Sequence, residues 1–199
     1  MVRRPGDEGN RRQGQSAGRA GPGQGQARDR GMSRAFTIRP TGPDDIDALM
    51  RLVRESWART YDPIIGEAER LRISGAKHVR ALFESEYADP AGFGFVASDG
   101  DGRLVAQAAG EWLDTGAAFI DRIHVEPDWK GSGVAMALIE AVAGEADKRG
   151  APVELTVLRG NDRAIAFYFK AGFQRIEEAP GLGETPADLM RRPAGIAQA

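Results

Sequence analysis

The chain contains no cysteine and only two histidines, His78 and His124. Without cysteine there is no disulfide framework, no Cys-ligated zinc or iron–sulfur centre and no thiol nucleophile. Two histidines leave a His-rich metal site improbable, and no metal is expected. No apolar run approaches the roughly 18 residues that a membrane-spanning helix needs. The first residues lack the apolar stretch of a secretory signal, so the expected location is cytoplasmic, with no membrane partner. Basic charge is scarce where a nucleic-acid surface would need it. Residues 1–34 hold eight Arg against Asp7, Glu8 and Asp29, a net +5, whereas residues 35–199 carry 19 Lys and Arg against 26 Asp and Glu, a net -7. A body of that sign argues against binding to phosphate backbones.

What remains is an ordinary globular composition. Of 199 residues, 41% are hydrophobic and 28% charged, which suits one domain with a sizeable core. Residues 1–34 read as a disordered basic tail, because Gly14 to Gly31 offers almost no large apolar side chain to offset its ordering entropy. The tail is read as a solvated extension, with translation from Met32 as a sharper version; the competing reading is a basic arm for nucleic acid or another partner.

The body begins at Ala35. Phe36 to Pro40 alternates as a short strand, and Ile46, Leu49, Leu52 and Val53 recur at helical spacing to about Ser56. Trp57 to Gly66 is aromatic and reads as irregular, with Pro63 preventing a continuous helix. A second helical region spans Glu67 to Tyr87 with a break near Gly75, its Leu71, Val79, Leu82 and Phe83 turned to the core. Beyond Pro90 the period falls to two. Strands around Phe93–Ala97, Leu104–Trp112 and Phe119–Val125, joined by Asp-Gly and Thr-Gly turns, form an antiparallel meander. The pattern then becomes strand–helix–strand. A helix carries Val134, Leu138, Val142 and Ala146 on one face; Val153–Leu158 is a strand; Asn161 caps a short helix; strands follow at Phe173–Glu177 and Ala187–Arg192. The fold class is α+β, in three layers: a mixed, mostly antiparallel sheet of six or seven strands with helices on both faces.

Chemistry concentrates where Val125-Glu126-Pro127 runs into Lys130-Gly131-Ser132-Gly133-Val134-Ala135. Unpaired N–H groups and the positive dipole end at a helix start suit a diphosphate, and glycines let the backbone come close. No P-loop string exists. A dinucleotide fingerprint is incomplete, because Met136 stands where a small third residue is needed; Glu154, about 20 residues on, keeps that alternative open as a ribose-binding acid.

Lys130-Gly131-Ser132-Gly133-Val134-Ala135 resembles the [Q/R]-x-x-G-x-[G/A] acetyl-CoA signature of the GNAT superfamily of N-acetyltransferases, with Lys in the Gln/Arg place. Ile123-His124-Val125-Glu126-Pro127 resembles the strand end that precedes that loop. Asn161 to Phe173 resembles the family's N-x-x-A-x-x-x-Tyr-x-x-x-G-F segment, and the resemblance covers about residues 36–178. It implies a GNAT-like domain over residues 35–199, with a splayed parallel pair formed by Phe119–Val125 and Val153–Leu158. It implies acetyl-CoA as co-substrate, with the diphosphate on backbone N–H groups from Lys130 to Ala135. Main chain around Ile123, His124 and Val125 would pair with the pantetheine arm, and Asn161, Ala164 and Tyr168 would line it. Tyr168 becomes the expected general acid. For the base the order is Asp121, Glu111, His124, with Asp121 on the same strand face as Phe119, Ile123 and Val125.

The implied reaction is acetyl transfer by direct attack of a primary amine. The acceptor, a small molecule or peptide, would be shaped by Trp57–Tyr87 and the turn near Thr115. Homodimerisation stays open. A non-catalytic acyl-CoA-binding module of the same fold is the alternative, with a dinucleotide-binding protein behind it.

Overall fold

The computed structural model describes residues 34–195. The readings of residues 1–33, including a start at Met32, lie outside the described residues, as do residues 196–199. Arg34, assigned to the tail from sequence, donates from Nη1 to Asp128 O at 3.0 Å and lies over the Trp129 ring.

The elements run β1 (Thr37–Pro40), α1 (Ile46–Ile65), α2 (Glu67–Lys77), α3 (Arg80–Ala88), β2 (Gly92–Ser98), β3 (Leu104–Trp112), β4 (Ala118–Val125), α4 (Val134–Asp147), β5 (Val153–Leu158), α5 (Asp162–Lys170), β6 (Gln174–Leu182) and β7 (Thr185–Arg192). The seven strands form one sheet in the order β1-β2-β3-β4-β5-β7-β6. Every neighbouring pair is antiparallel except β4 and β5. The meander β2–β3–β4 follows from short turns between period-two segments. The single parallel pair follows from the α4 crossover, which a parallel connection requires.

Two cores flank the sheet. On one side α4 presents Val134, Leu138, Ile139 and Val142 to Ala106, Ile120, Val153 and Leu155, all buried. Helix α5 packs Ala164, Ile165, Phe167 and Tyr168 against the same cluster. The second cluster joins Ile46, Leu49, Val53 and Trp57 of α1 to Ile73, Phe83, Val96 and Leu104. The entry to α1 is pinned by Asp45, which takes two bonds from the Arg39 guanidinium (2.7 and 2.8 Å) and one from Gly42 N. Those bonds, Arg39 first, hold the Asp45 carboxyl below its usual range.

The helical layer departs from the sequence reading in three ways. Helix α1 does not stop near Ser56 but continues through Trp57 and Pro63 to Ile65. Pro63 falls in the last turn, where a missing N–H costs one ladder bond and leaves the preceding turns intact, and Gly66 (φ +82°) ends the helix by donating to Asp62 O. The break in the second helical region lies at His78-Val79 and not at Gly75, which sits inside α2. There the buried His78 ring bonds Ser74 Oγ through Nδ1 at 2.7 Å and packs edge-on to Trp57. Of the residues assigned to the core from this region, only Phe83 is buried; Leu71 is 53% exposed, and Val79 and Leu82 are also exposed. Ile73 takes the inward position instead.

Candidate active site

The parallel pair is joined over only three positions, Ala118–Val153, Phe119–Glu154 and Ile120–Leu155. Beyond them β4 and β5 part. The cause is local. On the β3 side, Gly110 faces Ile120 and Ala109 faces Arg122, so Asp121 has no partner and forms a bulge. A bulge shifts the alternation by one residue. Ile123 and Val125 therefore join Ala118 and Ile120 on the α4 side, while Phe119, Arg122 and His124 take the other. This corrects the expectation that Asp121 shares one face with Phe119, Ile123 and Val125: the bulge at Asp121 puts Phe119 on one face and Ile123 and Val125 on the other. Past the bulge, Glu126 donates to Val105 O. Every second residue of an antiparallel ladder turns its backbone groups to the partner strand. Arg122 and His124 thus face β3, and the N–H and C=O groups of Ile123 and Val125 face the gap.

The gap opens into a cleft of about 1150 Å³. Its upper wall is the start of α4. Gly131 and Gly133 hold φ of +89° and +92°, and a Cβ added to either meets nothing within 4 Å. The left-handed backbone, not crowding, is what calls for glycine here. The first N–H bonded within the helix is that of Ala137, to Gly133 O. The six-residue segment is not uniform. Lys130 N and Ser132 N are spent on Pro127 O and Trp129 O, and Val134 N reaches Ser132 Oγ at 3.3 Å. Ser132 and Val134 do not line the cleft, whereas Lys130, Gly131, Gly133, Ala135 and Met136 do. Among the described residues the N–H groups of Gly131, Gly133, Ala135 and Met136 have no partner, and they stand at the positive end of α4, where an anion is favoured. Positive side chains reinforce it: burial, then Arg163 and Arg59, press the Lys130 ammonium below its ordinary range. A diphosphate would relieve that repulsion, so these residues fit the diphosphate of a coenzyme A.

The opposite wall is α5. Asn161 Oδ1 accepts from Ala164 N at 3.4 Å and caps the helix, and Asn161, Ala164 and Tyr168 all line the cleft. Tyr168 packs edge-on to Phe173. Burial and the nearby Tyr61 push its phenol far above its ordinary value, so it stays protonated throughout the working range.

The candidate bases separate. Asp121 and Glu111 line the cleft and are exposed. Asp121 lies 3.3 Å from Arg122 Nη1, and Arg122 Nη2 also binds Glu86. His124 lines the cleft too, but it is buried, and burial followed by Arg122 pushes its imidazole down to about 3. That ring is neutral near pH 7 and so, unlike the two carboxylates, carries no charge to hold an ammonium group.

Trp57 and Tyr61 of α1, His78 between α2 and α3, Glu86 and Tyr87 of α3, and Phe93 of β2 also line the cleft. The turn near Thr115 does not; Pro180 to Leu182 of β6 lines the cleft in its stead. Sequence reasoning missed Gln107, Arg122, Met136 and Arg163, which also face the cleft. Gln107 carried a signal, being the one polar residue in Leu104-Val105-Ala106-Gln107-Ala108-Ala109. The dinucleotide alternative loses its acid, because Glu154 is buried, bonded to Arg191 at 2.7 Å and away from the cleft. Among the described residues no cluster of His, Asp and Glu could hold a metal ion, and no helix is long and apolar enough to cross a membrane.

Comparison with known proteins agrees with this geometry. An uncharacterized N-acetyltransferase of Methanocaldococcus jannaschii is 29% identical over 155 residues, covering 74% of this chain. The chain spans 65% of that relative's length. Among solved structures, the PaiA N-acetyltransferase of Thermoplasma acidophilum in complex with coenzyme A superposes with a TM-score of 0.71 at 21% identity, over 80% of this chain and 99% of that one. The ribosomal-protein-S18-alanine N-acetyltransferase of Escherichia coli gives a TM-score of 0.62 at 23% identity, over 82% and 96% of the two chains. The model of the acetyltransferase (GNAT) family matches residues 50–173, from within α1 to the start of β6, and the chain belongs to that family.

Proposed function

We propose that this chain moves an acetyl group from acetyl-CoA to a primary amine, by direct attack with both substrates bound. The observation that carries the reading is the three-position β4–β5 ladder, which ends in a gap bordered by the unpaired N–H groups of α4. The N–H groups of Gly131, Gly133, Ala135 and Met136 bind the diphosphate, and Lys130 and Arg163 add charge. The backbone of Ile123 and Val125 pairs with the pantetheine arm as a missing strand would, while Asn161 and Ala164 flank it.

At neutral pH an alkylammonium of pKa about 10.4 leaves roughly one molecule in 2,500 able to attack. Asp121 at the bulge holds the ammonium and, being exposed, passes its proton on to water, with Glu111 as the second carboxylate. An N–H at the gap edge of β4 stabilises the charge that develops on the thioester oxygen. Tyr168 donates to the departing sulfur. A phenol raised by burial is a poor acid toward a solvated thiolate, but the leaving thiolate stands in the same desolvated cleft and is raised with it.

A thermal-shift series tests the cofactor half of the reading. Acetyl-CoA, and CoA more weakly, raises Tm, and NAD does not; a shift with NAD alone would overturn it. Acetyl-CoA consumption across a broad amine panel tests the chemical half. Binding with no turnover would reduce the chain to an acyl-CoA-binding module.

A further inference from the structure

Three buried polar atoms of the described residues have no hydrogen-bond partner within the chain: Gln107 Nε2, Arg122 Nε and His124 Nε2. They are not scattered. Gln107 and His124 are direct cross-strand partners on β3 and β4, and Arg122 stands two residues before His124 on the same face, past the bulge. All three line the cleft beneath α1. Gln107 is 1% exposed and His124 6%. A buried donor left unmade costs about 1–3 kcal/mol, and native structures hold few such groups. Gln107 Nε2 and Arg122 Nε are donors, and His124 Nε2 donates in one of its two neutral tautomers, so the patch is suited to meet an acceptor atom. Arg122 is held by Glu86 and Asp121 through its two Nη atoms, which fixes where its Nε points.

We propose that Gln107, Arg122 and His124 form the subsite for a carbonyl oxygen adjacent to the reacting amine, so that the acceptor is an α-amino amide, as at a peptide N-terminus, rather than an alkylamine or a polyamine. The inference rests on the acetyl-transfer reading of the same cleft. The local charge selects among carbonyl compounds. Glu86, Asp89, Glu111 and Asp121 line this part of the cleft against Lys77 and Arg122, with Arg59 near enough to act on the neutral His124 ring, which leaves the carboxylates one ahead. A small negative excess favours an ammonium group beside a neutral carbonyl over the added charge of a free amino acid's carboxylate. A polyamine would satisfy the carboxylates but leave the Gln107 and Arg122 donors unmet.

The test uses the full chain with acetyl-CoA and five acceptors: glycinamide, triglycine, glycine, propylamine and spermidine. We expect kcat/KM for glycinamide and triglycine to exceed that for propylamine by about tenfold or more. Glycine should fall below glycinamide, and a triglycine rate well above glycinamide would mark a peptide over a small amide. Gln107→Leu should shrink the amide-to-propylamine ratio to within about threefold, which a merely structural role for Gln107 would not do. Titrating N-acetylglycinamide and N-propylacetamide into the CoA-saturated protein repeats the comparison without turnover. Equal rates and affinities for the paired compounds, a preference for spermidine or propylamine, or a ratio unmoved by Gln107→Leu would each overturn the proposal. Absence of both turnover and product binding would overturn it too. The acetyl-CoA thermal shift judges the cofactor reading separately, so the two failures are distinguishable.

Discussion

Tyr168 and Asn161 show how far a single residue can be read. Each had two meanings in the sequence, an aromatic on an amphipathic helix or an acid, and a plain cap or a cofactor contact. The structure has both residues lining the cleft, with Asn161 also capping α5. Replacing Tyr168 by Phe removes one hydroxyl and keeps the ring that packs on Phe173. We expect kcat to fall by about 10²- to 10³-fold with the acetyl-CoA dissociation constant within twofold. Steady-state kinetics with calorimetric titration checks this, and a full kcat would remove Tyr168 from the chemistry. Asn161 and Tyr168 were legible because their spacing sits within one short helix. Gln107 and Arg122 were not, since their meaning depends on a neighbouring strand and on α1 above them.

Elements were legible where one period ran uninterrupted and were misread where a side chain from elsewhere decided the end. Helix α4 needed only Val134, Leu138, Val142 and Ala146 to be placed. The end of α2 depends on His78 finding Ser74 and Trp57, which no local rule announces. Two glycines separate the cases experimentally. Gly75 lies within α2 with nothing within 4 Å of an added Cβ, so Gly75→Ala should stabilise the protein by about 0.5–1 kcal/mol. If the helix broke there, the same change would destabilise it. Gly110 faces the bulge, and an added Cβ would lie 1.9 Å from Phe119 O, a backbone atom that cannot swing away. Gly110→Ala should lower Tm by about 3–10 °C and weaken acetyl-CoA binding with it, because the bulge at Asp121 parts β4 from β5. Thermal melts of both variants decide.

For the whole molecule, the two buried histidines set the response to acid. Burial, with Arg122 next, pushes His78 down to about 4 and His124 to about 3, from 6.5. Between those values the unfolded chain binds more protons than the folded one. Stability is therefore complete above about pH 6.5 and is lost as pH falls through 6.5 toward 4 and 3, at up to about 1.4 kcal/mol per pH unit for each ring. Asp45 acts in a lower window, below its ordinary 3.8, where protonation breaks its bonds to Arg39. Urea titrations at pH 7, 6 and 5 should show the loss, and His124→Gln should roughly halve the slope. An unchanged slope would mean that neither the burial nor the neutral state of His124 matters to folding.

The sequence by itself determined the strand–loop–helix order, the glycine-bearing helix start and the Asn-capped helix with Tyr168, because each is written in residues close along the chain. Only the tertiary structure decided where β4 leaves β5, which N–H groups of Lys130 to Ala135 remain free, and which polar side chains meet beneath α1. Those depend on a one-residue bulge and on cross-strand neighbours far apart in sequence, such as Gln107 and His124. Local periodicity carries no record of such pairings.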